Sequence, residues 1–319
     1  MKKNGKYGLA LLLLLVAILM FSCGKNNKKE LEEAVRTEGS EEVLGEEKID
    51  KLMEDFKSLT KKKDLALEDL IEFIDGDIEL VGKTNGDIFV YGLEERLESE
   101  LDTSLDRLRK LDSKAELVKL MGQEEFLADS RLAEIKNPEL KAEVEALDAQ
   151  KYKILRQGDQ LDLAVDYDKF LKYENFISDT AAGYFNIRGE LISKPSLVGG
   201  DFNIEFKEMN KRILKYEDYI VHNKDSERLE DVILIYRESL VNYFKGTEAN
   251  PVLEEGRVND KILAGYKDLA SNKEGITPRV AREYVAVLRA HRQIAREDLE
   301  VKILSLVNEA LSSLEDKIE

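Results

Sequence analysis

Tryptophan is absent from this chain, and cysteine, histidine and proline are scarce: one, two and four copies in 319 residues. A single cysteine excludes an internal disulfide. Two histidines far apart in sequence, His222 and His291, exclude the usual zinc sites, which draw on clustered His and Cys. The motifs of other common chemistries are missing as well. There is no Gly-x-Ser-x-Gly, no His-Glu-x-x-His and no Gly-x-x-x-x-Gly-Lys-Ser/Thr. With 66 acidic residues, carboxylate pairs arise by composition alone and carry no sign of acid–base catalysis. The sequence therefore predicts no enzyme, no catalytic residue, no cofactor and no metal ion.

What is present is concentrated at the start. The first 23 residues read MKKNGKYGLALLLLLVAILMFSC, with Lys2, Lys3 and Lys6 before an uncharged apolar run, then Ser22 and the lone Cys23. A basic end, an apolar stretch and a small residue before a cut are the parts of an export signal. Leu9 to Phe21 as a helix would span roughly 20 Å, short of the ~30 Å hydrocarbon core, so a permanent transmembrane helix fits less well. The segment resembles the signal peptide of a bacterial lipoprotein. That resemblance implies that Cys23 is fatty-acylated, palmitate among its chains, and becomes the first mature residue. One acyl chain holds a protein only marginally, whereas several hold it firmly. Gly24, where an Asp would favour retention in the inner membrane, implies attachment to the outer membrane.

Without residues 1–22 the chain carries 46 basic and 66 acidic side chains, a net charge of −20. So acidic a surface excludes nucleic acid, whose phosphates demand positive charge. It also excludes electrostatic binding to anionic lipids, leaving the acyl group to carry membrane attachment. Charged residues make up 36% of the chain and aromatics 7%, which suits long solvated helices. The predicted fold is mainly α: an extended bundle of long amphipathic helices with at most a small β-hairpin near residues 78–91.

Residues 23–47 read as the lipidated cysteine and a charged tether. Two helical regions follow, 48–192 and 202–319, as one domain or two. Ile49, Leu52, Met53, Phe56 and Leu59 lie on one helical stripe, and a second short helix covers Leu65 to Ile74. Asp75-Gly76-Asp77-Ile78 and Asn85-Gly86-Asp87-Ile88 then interrupt the pattern. Asn-Gly between β-prone runs predicts either a ribbon pairing Ile78–Val81 with Ile88–Tyr91 or a loop between helices. The leucines from Leu93 to Leu111 step by threes and fours along an amphipathic helix reaching Met121.

Asn137-Pro138, Asn250-Pro251 and Thr277-Pro278 place proline after a capping residue, and each predicts a helix start. Gly246 and Gly275 mark helix ends. The tyrosines and phenylalanines from Tyr167 to Phe185 predict core for a helix around 160–184, followed by a loop over Ser193–Asp201 and a short strand over Phe202–Phe206. Ser226 caps a helix to Lys245, Pro251 opens one to about Ser271, and Pro278 opens a last helix running to the C-terminus.

Three candidate sites remain. His291 lies on the apolar stripe of the last helix with Arg289, Arg292 and Arg296 nearby, reading as a core-edge histidine or a proton-handling group. His222 sits at a helix end, where a positive charge suits the dipole. Asp75, Asp77 and Asp87 fail the EF-hand spacing and are either turn formers or an irregular calcium site. Together these features predict a membrane-anchored, non-enzymatic interaction or scaffold protein of the cell envelope, with an envelope or surface protein as partner. The alternative is a ligand-binding lipoprotein whose aromatic-rich 167–206 stretch lines a pocket between helices.

Overall fold

The stripe that begins at Ile49 forms α1 (Glu46–Thr60) and buries Met53 and Phe56, and α2 (Leu67–Asp77) buries Leu70, Ile71 and Ile74 beside it. The structure is a computed structural model describing residues 45–318 except 63, 123, 256 and 291–295. The expected export signal with Cys23, nearly all of the expected tether, and His291 lie outside the described residues.

No ribbon forms at 78–91. Ile78–Leu80 is one turn of 3-10 helix, and α3 (Lys83–Lys110) runs on from it as the longest helix described. Asn85-Gly86 sits in the first turn of α3, where glycine serves close approach rather than chain reversal. A Cβ on Gly86 would overlap the backbone carbonyl oxygen of Phe176. The β-prone residues after it, Phe89 and Val90, are fully buried on the inner side of α3.

After α4 (Lys114–Met121), α5 (Pro138–Ala149) begins where Asn137-Pro138 predicted, with Asn137 Oδ1 accepting from Leu140 N at 3.0 Å. Strands occur instead at β1 (Tyr152–Gln157) and β2 (Gln160–Val165), an antiparallel pair in register from Tyr152↔Val165 to Gln157↔Gln160. The helix expected around 160–184 is therefore three elements: β2, a 3-10 stretch over Tyr167–Phe176, and α6 (Asp179–Ser193) capped by Ser178. Leu161, Leu163, Ala164 and Val165 are all buried, so β2 lacks the clean alternation that identifies a strand. The chain reverses between β1 and β2 at Gly158, whose φ of 62° suits glycine.

A second, two-residue hairpin pairs β3 (Leu197–Val198) with β4 (Asp201–Phe202) across Gly199-Gly200. The predicted strand thus stops at Phe202, and Phe206 opens α7 (Phe206–His222). Then α8 (Leu229–Lys245) ends at Gly246 as predicted, while Ser226 stands three residues ahead of α8 rather than at its cap. Pro251 starts no helix: it bridges back to Gly246 and leads into β5 (Leu253–Glu254) and β6 (Arg257–Val258). It is Asn259 that caps α9 (Asp260–Ala270).

Next, α10 (Ile276–Ala290) starts ahead of Thr277 because Glu217 on α7 caps it. Its carboxylate accepts from Ile276 N at 2.6 Å and Thr277 N at 2.7 Å. Gly275 accordingly precedes a helix rather than ending one. The single last helix predicted is divided, because α11 (Arg296–Ile318) packs antiparallel against α10, with Arg279 Nη2 donating to Ser313 Oγ at 2.9 Å.

Residues from Glu47 onward form one compact unit with a continuous core. Its two largest aromatic clusters hold at least five rings each. One joins Tyr91, Tyr167, Phe170, Tyr184 and Phe185. The other joins Phe206, Tyr243, Phe244, Tyr266 and Tyr284. In the second, the Tyr266 and Tyr284 hydroxyls donate to the carbonyls of Tyr243 and Phe244 at 2.9 Å each, satisfying the free C-terminal end of α8.

Candidate functional site

Most of the aromatic-rich stretch is core, not pocket. Tyr167, Phe170, Tyr173, Tyr184 and Phe185 are buried, and Phe202 lines a cleft. The Tyr167 and Tyr184 hydroxyls instead meet at a buried carboxylate. Glu94 on α3 is 1% exposed and accepts from Tyr184 at 2.7 Å, Tyr167 at 2.9 Å and Arg228 Nε at 3.1 Å. Arg228 also reaches Glu95 at 2.9 Å and lies over the Tyr91 ring, while Arg188 pairs with Glu98 at 2.8 Å. Burial raises the Glu94 carboxyl above its ordinary 4.5, opposed by the Tyr184 hydrogen bond and by Arg228 and Arg188. Every oxygen of Glu94 faces a donor, and the network ties α3 to the 3-10 stretch, α6 and the approach to α8. Its geometry is that of a brace between helices.

The clefts lie elsewhere. The end of α6, the β3–β4 hairpin, α7 and α8 line a half-open cleft of about 180 Å³. Leu191, Leu197, Phe202, Ile213 and Ile235 make its apolar walls, and Arg212 and Tyr216 of α7, Ser196, and Glu238, Ser239 and Asn242 of α8 also line it. Tyr216 is 1% exposed, and among the described residues its hydroxyl has no hydrogen-bond partner. Burial pushes that phenol up to about 12, so it keeps its proton at neutral pH. Arg212 is 4% exposed and already engaged. Its Nη1 donates to Lys194 O at 2.7 Å and Ser196 Oγ at 3.5 Å, and its Nε to Glu208 at 3.5 Å. Leu197 also borders two further clefts, of about 560 and 800 Å³, so the hairpin sits where three hollows meet.

The residues singled out in the sequence do not converge here. His222 is exposed at the end of α7 with Nδ1 3.1 Å from Asp218 Oδ1. Asp75 accepts from Lys172 at 2.6 Å and Tyr173 at 2.7 Å, and Asp87 accepts from Ser178 N at 2.8 Å. Asp77 ends α2, its carboxyl raised by burial and by Asp55. Among the described residues no group of three His, Cys, Asp or Glu side chains could hold a metal ion.

Sequence reasoning missed Glu94, Arg228 and Tyr216. Glu94 carried a readable signal: it is flanked by Leu93 and lies one turn before Leu97, on the buried side of its helix. Tyr216 carried none, because an unpartnered hydroxyl looks like any other core tyrosine in a helical stripe.

No protein-family model, curated protein or solved structure matches this chain.

Proposed function

We propose that the chain is a lipid-anchored, non-enzymatic interaction or scaffold protein of the bacterial cell envelope, held on the outer membrane through acylated Cys23. The observation that carries this reading is the basic, apolar, Cys-terminated segment over residues 1–23, followed by a chain of net charge −20. The helical unit supports it: long helices offer extended faces, and the buried charges around Glu94 brace those helices against one another. Among the described residues no helix is long and apolar enough to cross a membrane.

Cys23→Ser tests the anchor. The variant is expected to lose incorporation of labelled fatty acid and to leave the membrane fraction. Detergent pull-down of the unaltered protein is expected to return a stoichiometric envelope partner. Unchanged labelling and fractionation, or repeated recovery of the protein alone, would count against the reading. The half-open, largely apolar cleft between the β3–β4 hairpin, α7 and α8 favours a second reading, a ligand-binding lipoprotein.

A further inference from the structure

We infer that the clefts meeting at Leu197 form a docking surface for a partner-protein segment that carries apolar side chains beside lysine or arginine. This rests on the interaction reading and adds to it the chemistry of the partner. Shape comes first. Leu197 lines clefts of about 180, 560 and 800 Å³, and Leu191 and Pro195 line the first two. Clefts that share walls suit several side chains of one segment better than one small molecule. Phe126, Leu155 and Ile192 extend the apolar walls in the 560 Å³ cleft, and Val252, Leu253 and Leu299 do so in the 800 Å³ cleft. Apolar side chains of a partner leave water against such walls.

Charge decides what else the segment carries. The cations among the described lining residues are Arg156, Arg212 and Lys245, and each already has a partner. Arg156 Nη2 meets Asp159 at 3.3 Å, Arg212 Nη1 donates to Lys194 O at 2.7 Å, and Lys245 pairs with Glu300 at 3.8 Å. The acids of the lining are Glu124, Glu125, Glu238 and Glu248. Among the described residues none of these four carboxylates has a hydrogen bond or ion pair. Lys194 and Arg237, unpaired cations close by in sequence, line none of the three clefts.

In a chain with 66 acids, unpaired glutamates are common. What sets these apart is their place beside apolar walls, with every cation of the lining engaged. An acidic segment would meet free carboxylates and no free cation. A segment with lysine or arginine beside its apolar side chains complements both features at once.

The test uses the mature, acylated protein in nanodiscs of zwitterionic lipid, with empty nanodiscs as the blank. Fluorescence anisotropy follows three labelled peptides of about 12 residues, built from leucine and lysine, leucine and glutamate, or serine and lysine. The leucine–lysine peptide is expected to bind saturably, and the other two at least about tenfold more weakly. The combined variant Glu124→Gln, Glu125→Gln, Glu238→Gln and Glu248→Gln is expected to bind the leucine–lysine peptide about tenfold more weakly at low salt. Glu54→Gln, Glu72→Gln, Glu139→Gln and Glu315→Gln together change the net charge equally at exposed acids outside the clefts. That variant is expected to stay within about twofold of the parent. Equal losses in the two variants would show a general attraction to an acidic chain and overturn the site. Tight binding of the leucine–glutamate peptide would overturn the basic class, and tight binding of the serine–lysine peptide would overturn the role of the apolar walls. Dimerisation in sedimentation that the combined cleft variant abolishes would make a second copy the occupant and overturn the basic partner. An envelope partner recovered equally by the parent and the cleft variant would overturn this surface and leave the interaction reading standing.

Discussion

A carboxylate that is 1% exposed must be tied to donors or carry a large desolvation cost, and Glu94 is tied to three. Truncating it strands the Tyr184 hydroxyl and removes one of the two acceptors of Arg228. Glu94→Ala is therefore expected to lose about 3 kcal/mol of stability in urea titration. Glu94→Gln keeps an acceptor for the tyrosines and is expected to lose less. The pair also has a pH signature. Because the folded value lies above 4.5, the folded chain holds this proton more tightly than the unfolded one. The stabilisation from that proton is complete below pH 4.5 and is lost as pH rises through the folded value. The stability of the parent relative to Glu94→Gln should accordingly fall as pH rises above 4.5. A rise would mean that Arg228 and the tyrosines outweigh burial. At this scale the sequence discloses little, since hydrogen-bond partners 73 to 134 positions apart leave no local pattern.

Elements were far more legible, and where the reading failed it failed through glycine, proline and burial. Stripes of apolar residues located α1, α2, the leucine-rich length of α3, α8 and the helical character of the last third, because period 3.6 is a direct consequence of one-sided packing. Asn85-Gly86 misled because turn chemistry and close approach use the same residue. Gly86→Ala separates them. Its Cβ would meet a backbone carbonyl that cannot swing aside, so a loss of about 1–3 kcal/mol is expected, or roughly 3–10 °C in Tm. Gly76→Ala in α2 meets nothing within 4 Å and is expected to raise Tm slightly. Thermal melts of the two variants should move in opposite directions. A common shift would show that α3 does not depend on its contact with Phe176. Strands β1 and β2 were missed because both faces of β2 are covered. The start of α10 was missed by two residues because its cap, Glu217, comes from another helix.

For the whole molecule, the balance to be decided is between many weak ion pairs and one large excess of negative charge. Several pairs are long and exposed, such as Lys83–Asp179 at 3.7 Å and Lys211–Glu208 at 3.8 Å, and pairs of that kind contribute little. The buried ones around Glu94 lie where salt screens poorly. Repulsion among 66 acidic side chains acts across the surface and is reduced as the Debye length shrinks from about 30 Å at 10 mM salt to about 8 Å at 150 mM. Added salt should therefore stabilise the fold. Over that range in a non-ionic detergent the Tm of the mature protein is expected to rise by about 2–4 °C, corresponding to roughly 1 kcal/mol. A falling Tm would mean that surface ion pairs, rather than self-repulsion, dominate the electrostatics. The same excess of charge shapes what the protein can approach. With the acyl anchor proposed at Cys23, a chain of net −20 would be repelled by an anionic membrane surface, so the proposal places the helical faces toward protein partners rather than toward lipid.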